Sequence, residues 1–150
     1  MTTCSIDFET RSTVDLKATG VYPYAGDATT DLWCFAYAFD EEPVVSVWRP
    51  GLPFPERLAT HITAGGEMRA WNAQFERVIW RDLGIPRYGF PTVPDGQWVC
   101  TAAEAAAMAL PRSLEQCATV LRLPVQKDQA GYRLMMQMAR PRRWDGRTPI

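Results

Sequence analysis

The stretch TTCSIDFE at residues 2–9 decides the fold of this 150-residue chain. Apolar and polar residues alternate along it, with the two-residue period of a β-strand that buries one face. A strand here places Ile6 and Phe8 on one face and the carboxylates Asp7 and Glu9 on the other. The chain is therefore predicted to begin with a half-buried strand that carries two acids on its open face.

The segments that follow extend this strand into a sheet. DLWCFAYAFD at 31–40 and PVVSVW at 43–48 predict two more strands, which complete an antiparallel meander. Residues 10–30, rich in Thr, Gly, Asp and Pro, predict a long loop. The remaining predicted elements are a helix at 55–64, a strand at 67–72, a helix at 73–84 ended by Gly84, a connector at 85–97, and a mainly helical part at 98–110, 113–123 and 128–139.

This order of elements predicts the fold class. Three meander strands, a helix, a strand and then mostly helices indicate an α/β protein, with a mixed sheet and helices on its faces. The layout is ribonuclease-H-like, with a C-terminal part that is mainly helical. A length of 150 residues fits a single domain over 1–150 with one core.

Composition excludes several classes of protein. Hydrophobic residues make up 47% of the chain and the mean hydropathy is −0.22, so the chain is too apolar for disorder. No uncharged apolar run approaches the roughly 20 residues that a membrane helix needs. No basic and apolar leader follows Met1, so we expect a soluble protein in the cytoplasm with no membrane partner.

Charge is unevenly distributed along the chain. The first 50 residues hold eight acids and three bases, the next 50 hold five of each, and the last 50 hold four acids and eight bases. This distribution suits a protein that holds cations at one place and an anionic ligand nearby, although ordinary solvated charge explains it equally well.

The cysteines indicate neither a zinc site nor a disulfide framework. No two of them form a Cys-x-x-C pair, and the chain has a single histidine. A small thiol in an apolar run usually fills a core, so we expect buried, reduced side chains at Cys4, Cys34, Cys100 and Cys117.

Asp7 and Glu9 are the first candidates for chemistry. Their positions on a strand lie roughly 6.6 Å apart along one face, where two carboxylates repel unless a cation lies between them. Oxygen ligands favour Mg²⁺ or Mn²⁺, and two such ions are a common device for hydrolysing phosphodiesters. A solvated edge strand is the alternative explanation of the pair.

A third acid strengthens the hypothesis. In WNAQFER (71–77) a predicted strand ends at Asn72 and a helix begins, which places Glu76 on the first turn, facing the end of the strand. Together, IDFET (6–10) and N-x-x-F-E (72–76) resemble the first and second motifs of the DEDD 3′–5′ exonucleases. Among these the chain is most similar to the proofreading domain of bacteriophage-type family A DNA polymerases.

The resemblance implies roles for individual residues. Asp7 and Glu9 match the metal ligands of the first motif, and Glu76 takes the place of the second-motif acid, which is usually aspartate. Thr10 matches a residue beside the terminal nucleotide, while Asn72 and Phe75 match polar and packing positions of the second motif. Weaker similarity continues through Cys100-Thr101, Leu110-Pro111, Ser113-Leu114, Lys127-Asp128, Gly131 and Leu134-Met135.

The third motif of the family is missing. Its members carry Tyr-x-x-x-Asp, or a histidine variant, in which the aspartate completes the metal site and the tyrosine or histidine orients the attacking water. After Glu76, Tyr88 is followed four positions later by Thr92, and Tyr132 by Met136. We therefore expect an exonuclease domain that is incomplete at its C-terminal end.

Four other groups of residues have ordinary structural explanations. His61 is expected on an exposed helix face, and Asp128 is expected to cap the helix at 128–139 rather than to bind a metal. The methionines Met135, Met136 and Met138 are expected in the core rather than on a binding surface. The basic residues Arg140, Arg142 and Arg143 are equally consistent with a phosphate contact and with a solvated tail.

The resemblance implies a 3′–5′ exonuclease of a DNA polymerase, acting on a DNA 3′ end with two Mg²⁺ or Mn²⁺ ions, beside a polymerase domain or subunit, in a phage-infected bacterial host. The missing motif favours an alternative, an inactive or split domain that binds DNA or joins a polymerase. Another ribonuclease-H-like nuclease or a resolvase is a third possibility.

Overall fold

A computed structural model describes residues 2–42, 44–125 and 128–139. The strands are β1 (Thr3–Arg11), β2 (Asp31–Phe39), β3 (Ser46–Trp48), β4 (Glu67–Ala70) and β5 (Trp98–Cys100). The α-helices are α1 (Leu16–Thr19), α2 (Val21–Gly26), α3 (Glu56–Thr63), α4 (Gln74–Ile79), α5 (Ile85–Tyr88), α6 (Thr101–Ala107), α7 (Leu114–Val120) and α8 (Gln129–Met138).

The described strands form one mixed sheet in the order β3-β2-β1-β4-β5. β2 pairs antiparallel with β1 and with β3, which confirms the predicted meander. β4 and β5 run parallel to β1 on its other side. β1 is therefore the central strand, and the start of α4 follows its parallel neighbour β4.

One face of the sheet carries the main core. The alternation predicted for β1 is observed, because Cys4, Ile6 and Phe8 are buried. They pack with a cluster of aromatic rings centred on Phe35, whose ring centroid lies 5.1 Å from that of Trp48. The opposite side chains of β1, including Asp7, face away from this core, so the acids lie on the other side of the sheet.

Two sequence predictions were wrong about where helices form. Residues 10–30 contain α1 and α2 instead of one long loop, because Asp15 caps α1 through its side chain and Tyr24 of α2 is buried in the core. Gly84 does not end the helix that begins at α4. A π-helical turn over Trp80–Gly84 continues into α5, and the chain leaves the helical conformation at Gly89, whose φ is 68°.

The C-terminal helices are less deeply packed. α7 buries Cys117 and Ala118, whereas α8 has no buried side chain among its described residues. The end of α8 is held by backbone carbonyls, since Met138 accepts from Trp33 Nε1 at 3.1 Å and Ala139 accepts from the N–H of Ser12 at 3.0 Å. Among the described helices, none is long and apolar enough to cross a membrane.

Candidate active site

Asp7 and Glu9 lie on the open face of β1, as the alternation predicts. They face small neighbours on β2, because Asp7 pairs with Ala36 and Glu9 pairs with Cys34. The register shifts between Glu9 and Thr10, and such a β-bulge bends the strand and redirects its side chains. Both acids are thus reached from one side of the sheet, at the end of the central strand.

Glu76 approaches from the turn between β4 and α4. The turn passes through Asn72, whose φ of 64° is a left-handed conformation that asparagine tolerates better than most residues. α4 begins two residues later, so Glu76 falls on its first turn. The Glu76 side chain is directed into the protein and is only 3% exposed.

The three carboxylates share a common electrostatic character. Burial, with a smaller contribution from the charge of Asp7, raises the pKa of Glu76 to about 8. Burial also raises the pKa of Asp7, and burial together with the Asp7 charge raises the pKa of Glu9. Asp7 is therefore the acid common to two interacting pairs, one with Glu9 and one with Glu76.

Two clefts meet at Asp7. The first has a volume of about 370 Å³ and runs over the sheet beside Ala36 and Ala38 to Arg69 and Trp71. The second, of about 430 Å³, is lined by Asp7, Glu9, Thr10, Tyr24, Phe75 and the α8 residues Met135 and Met136. Asp7 is thus open to a ligand from both clefts, and Glu9 from the second cleft.

Two of the three substrate-binding residues implied by the resemblance lie in the second cleft with the acids. The Thr10 hydroxyl lies 2.8 Å from the Tyr24 hydroxyl, and the ring of Phe75 lies 6.3 Å from that of Tyr24, in the second cleft. Asn72 is exposed on the turn before α4 and lines neither of the clefts that meet at Asp7. Thr10 and Phe75 therefore lie with the acids, and Asn72 shapes the turn that leads to Glu76.

Sequence reasoning gave no role to two cysteines that adjoin the acids. Burial and the charges of Glu9 and Asp7 raise the pKa of Cys34. Burial acts to raise the pKa of Cys100, but backbone N–H groups including those of Ala103 and Ala73 outweigh it and lower that pKa. The alternation of β2 could have placed Cys34 on the face of the acids, but only the register sets it opposite Glu9.

His61 and the methionines differ from the sequence prediction. His61 is half-buried instead of exposed, because its ring packs 5.2 Å from that of Phe39 and its Nε2 lies 3.0 Å from the Glu67 carbonyl. Met136 and Met138 are exposed and Met135 is half-buried, so these residues do not fill the core, and Met135 and Met136 border the cleft beside Glu9. The helix predicted at 128–139 is observed as α8, and it has no buried side chain among its described residues.

Of two further sequence predictions, only the one for Asp128 lies within the described residues. Asp128 caps α8, since its Oδ1 accepts from the N–H of Ala130 at 2.9 Å, which confirms the structural explanation. The residues Arg140, Arg142 and Arg143 lie outside the described part of the chain.

The donors of this site fit a hard divalent cation shared through Asp7. Glu76 Oε2 is buried without a hydrogen-bond partner, which leaves a carboxylate oxygen with no interaction to offset its desolvation. Within residues 2–42, 44–125 and 128–139, no three His, Cys, Asp or Glu side chains lie close enough together to hold one metal ion. Carboxylate oxygens are the ligands that hard divalent cations prefer, so the unpartnered oxygen of Glu76 is chemically suited to such a cation.

Comparison with known proteins gives two informative matches. The chain is 36% identical over 143 residues to a curated protein named DNA polymerase from Bacillus phage SP02, and the match covers 94% of this chain and 21% of the polymerase. A solved structure described as the apo form of the nuclease matches with a TM-score of 0.53 at 16% identity, over 85% of this chain and 55% of that one. No protein-family model matches the chain.

These matches confirm the recognition and the fold class inferred from the sequence. The chain spans about one fifth of the polymerase that it matches, so it is homologous to a part of that protein. Its mixed α/β fold is that of a nuclease, consistent with a ribonuclease-H-like arrangement. Both findings fit an exonuclease domain of a phage polymerase.

Proposed function

We propose that this chain, which is homologous over almost its whole length to part of a phage DNA polymerase, is the 3′–5′ exonuclease domain of such an enzyme. In this proposal it removes nucleoside monophosphates from a DNA 3′ end in the cytoplasm of the bacterial host. It works beside a polymerase domain or subunit. The nuclease fold and the polymerase relationship support this function at a coarser level, as a polymerase-associated nuclease.

One observation carries the proposal. Glu76 is a desolvated carboxylate with an unpartnered oxygen, and its pKa is raised in part by the charge of Asp7, which borders both clefts. A purely structural role does not explain this arrangement, because a buried polar group without a hydrogen-bond partner is costly. Perturbed carboxylates in a cleft are instead typical of sites that bind a cation or transfer protons.

The residues divide into cation ligands and substrate contacts. Asp7, Glu9 and Glu76 would hold Mg²⁺ or Mn²⁺, with Asp7 common to both pairs. When bound, the two ions supply a hydroxide nucleophile and stabilise the leaving oxygen. The side chains themselves keep the cations against the end of β1, and the burial of Glu76 strengthens its attraction for a cation by excluding water.

The cleft beside Glu9 suits the terminal nucleotide. Phe75, Met135 and Met136 give it apolar walls that can contact a sugar or a base, and the Thr10 and Tyr24 hydroxyls can donate to a polar atom. Its volume of about 430 Å³ is within the range of small-molecule sites. Asn72 is proposed to contact the strand from the turn before α4.

A second function is supported by two observations. The sequence has no Tyr-x-x-x-Asp after Glu76, and the described residues contain no cluster of three metal-binding side chains. A domain that lacks a positioned base loses about 10²- to 10⁴-fold in rate. The alternative is thus an inactive or split exonuclease-like domain that binds DNA or assembles with a polymerase.

The deciding experiment combines metal binding with cleavage. Thermal unfolding is followed with and without Mn²⁺, and a single-stranded oligonucleotide labelled at its 5′ end is incubated with Mg²⁺ or Mn²⁺. We expect Mn²⁺ to raise the unfolding temperature of the wild type but not of Asp7→Ala. We also expect slow shortening from the 3′ end that Asp7→Ala abolishes.

The other outcomes are equally informative. Metal-dependent stabilisation and DNA binding without any shortening would favour the inactive or split domain. A wild-type unfolding temperature that Mn²⁺ does not change would contradict the assignment of Asp7, Glu9 and Glu76. Internal cuts instead of shortening from the 3′ end would favour a different ribonuclease-H-like nuclease.

A further inference from the structure

A third cleft lies on the other side of the α2 and α4 pair. Its volume is about 590 Å³, and it is bordered by α2, α4, the π-helical turn and the segment leading to β5. The side chains that matter for its chemistry are Tyr22, Gln74, Arg77, Arg81, Asp95 and Trp98. None of them has a role in the site described above.

The lining of this cleft matches the chemistry of a nucleotide. Gln74, Arg77 and Arg81 are spaced three and four residues apart, so they form one row along the helix. Arginine binds phosphate through several parallel hydrogen bonds. Tyr22 and Trp98 add aromatic surfaces, on which any base can stack.

Both arginines of the cleft are paired with surface carboxylates that a phosphate would have to displace, and Arg81 makes two hydrogen bonds to Asp82. Arg77 is paired with Asp95 at 2.8 Å, but the Asp95 side chain is 84% exposed, and such surface pairs contribute little to stability. Arg81 binds its neighbour Asp82 at 2.6 Å, with its guanidinium 5.9 Å from the Tyr22 ring. A phosphate can therefore replace Asp95 at Arg77 with little loss of stability.

The same two helices connect this cleft with the candidate active site. Tyr24 and Phe75 line the cleft beside Glu9, whereas their near neighbours Tyr22 and Gln74 line the third cleft. A strand that leaves the site beside Glu9 thus reaches the third cleft by crossing α2 and α4. A site for an isolated anion would need neither aromatic walls nor a connection to the candidate active site.

We propose that the third cleft is a second nucleic-acid contact, which binds a nucleotide of the single strand away from the bond that is cut. Arg77 and Arg81 hold its phosphate, and Tyr22 and Trp98 contact its base. The proposal rests on the proposed function, since it takes the nucleic acid bound at Asp7 and Glu9 as its ligand. Such a contact would make the chain bind longer single strands more tightly than short ones.

Binding of fluorescent oligothymidylates of three and twelve residues, measured in EDTA so that no strand is cut, tests the proposal. We expect the double variant Arg77→Gln/Arg81→Gln to bind the longer strand about tenfold more weakly and the shorter strand unchanged. The slope of log affinity against log salt concentration should fall by about 1.4, which is about 0.7 for each lost phosphate contact.

A matched control variant removes the same amount of positive charge from another surface of the protein. Arg49→Gln/Arg57→Gln takes two positive charges from a surface that does not line this cleft, and it should leave both affinities unchanged. Tyr22→Ala should weaken binding of the longer strand about tenfold. Tyr22→Phe should bind that strand as tightly as the wild type, because the ring is retained. Tyr22 is 55% exposed, so both variants should fold normally.

Three results would overturn the second contact. They are unchanged binding of the longer strand by Arg77→Gln/Arg81→Gln, an equal loss for both strands, and an equal loss in the control variant. The proposed function is tested separately by cleavage. Hydrolysis that depends on Asp7, together with unchanged binding by Arg77→Gln/Arg81→Gln, would overturn the second contact alone.

Discussion

At the scale of single residues, Glu76 makes the stability of the chain depend on pH. The folded chain retains a proton on Glu76 up to a pKa of about 8, whereas the unfolded chain releases it near 4.5. Folding then becomes less favourable as the pH rises between these values, because the folded state binds more protons than the unfolded state. The protein in EDTA should therefore lose stability from pH 4.5 to pH 8.

Glu76→Gln should remove this pH dependence. In EDTA at pH 8.5 we expect the variant to be more stable than the wild type by about 2 to 4 kcal/mol, since a shift of one pKa unit corresponds to about 1.4 kcal/mol. At pH 4.5 the two proteins should be nearly equal. Urea unfolding at both pH values measures the difference in stability between the two proteins. A difference that does not change with pH would show that the burial of Glu76 is not its cause.

Substitutions at Asn72 distinguish the role of its backbone conformation from the role of its side chain. Its φ of 64° suits asparagine and glycine but costs alanine about 1 kcal/mol or more. We therefore expect Asn72→Ala to be about 1 kcal/mol less stable than Asn72→Gly in chemical unfolding. If the amide also contacts the strand, both variants should bind a single strand equally weakly, whereas unequal binding would mean that the backbone conformation alone matters.

At the scale of elements, the helical segment from α4 to α5 depends on close packing at Gly84. A Cβ atom at this position would lie 2.2 Å from Cδ2 of Phe90, whose ring is only 3% exposed. Gly84→Ala should lower the free energy of unfolding by about 1 to 3 kcal/mol, because the ring must shift within a filled core.

Gly26→Ala is the matched control for Gly84→Ala. Gly26 is the last residue of α2, and a Cβ atom there has no heavy atom within 4 Å. We expect it to be neutral or stabilising by up to about 1 kcal/mol. Equal effects of the two substitutions in urea unfolding would mean that helix propensity, and not the contact with Phe90, determines the result.

α8 should be the least stable of the described helices. It has no buried side chain, and its end is attached by the hydrogen bond from Trp33 Nε1 to the Met138 carbonyl. Trp33→Phe removes that donor and should speed amide hydrogen exchange in α8 by about two- to tenfold, the equivalent of one hydrogen bond. Exchange in β1 should not change, and faster exchange there would indicate general destabilisation.

At the scale of the whole molecule, the cysteines test whether the chain folds as a reduced protein. All four are free, with Cys4 and Cys117 buried and Cys34 and Cys100 half-buried. A reductant should not change the unfolding temperature. Mass spectrometry after alkylation should show label on Cys34 and Cys100 in the native protein and on every cysteine after unfolding, and native labelling of Cys4 would contradict the packing of β1.

Local patterns determined the parts of the fold that depend on neighbours in the chain. The two-residue period of 2–9 placed Ile6 and Phe8 inside and Asp7 and Glu9 outside, because side-chain direction in a strand alternates whatever surrounds it. The caps at Asp128 and Ser113 were equally local, since each side chain bonds an N–H two or three residues later. The family motifs identified Glu76 without any knowledge of its surroundings.

Tertiary structure decided what depends on residues far apart in the chain. The helical segment continues past Gly84 and packs against Phe90, and α2 forms where a loop was predicted because the core buries Tyr24. The high pKa of Glu76 and the position of Cys34 opposite Glu9 follow from burial and strand register. Burial and register are set by packing between distant segments, so no local pattern in the sequence specifies them.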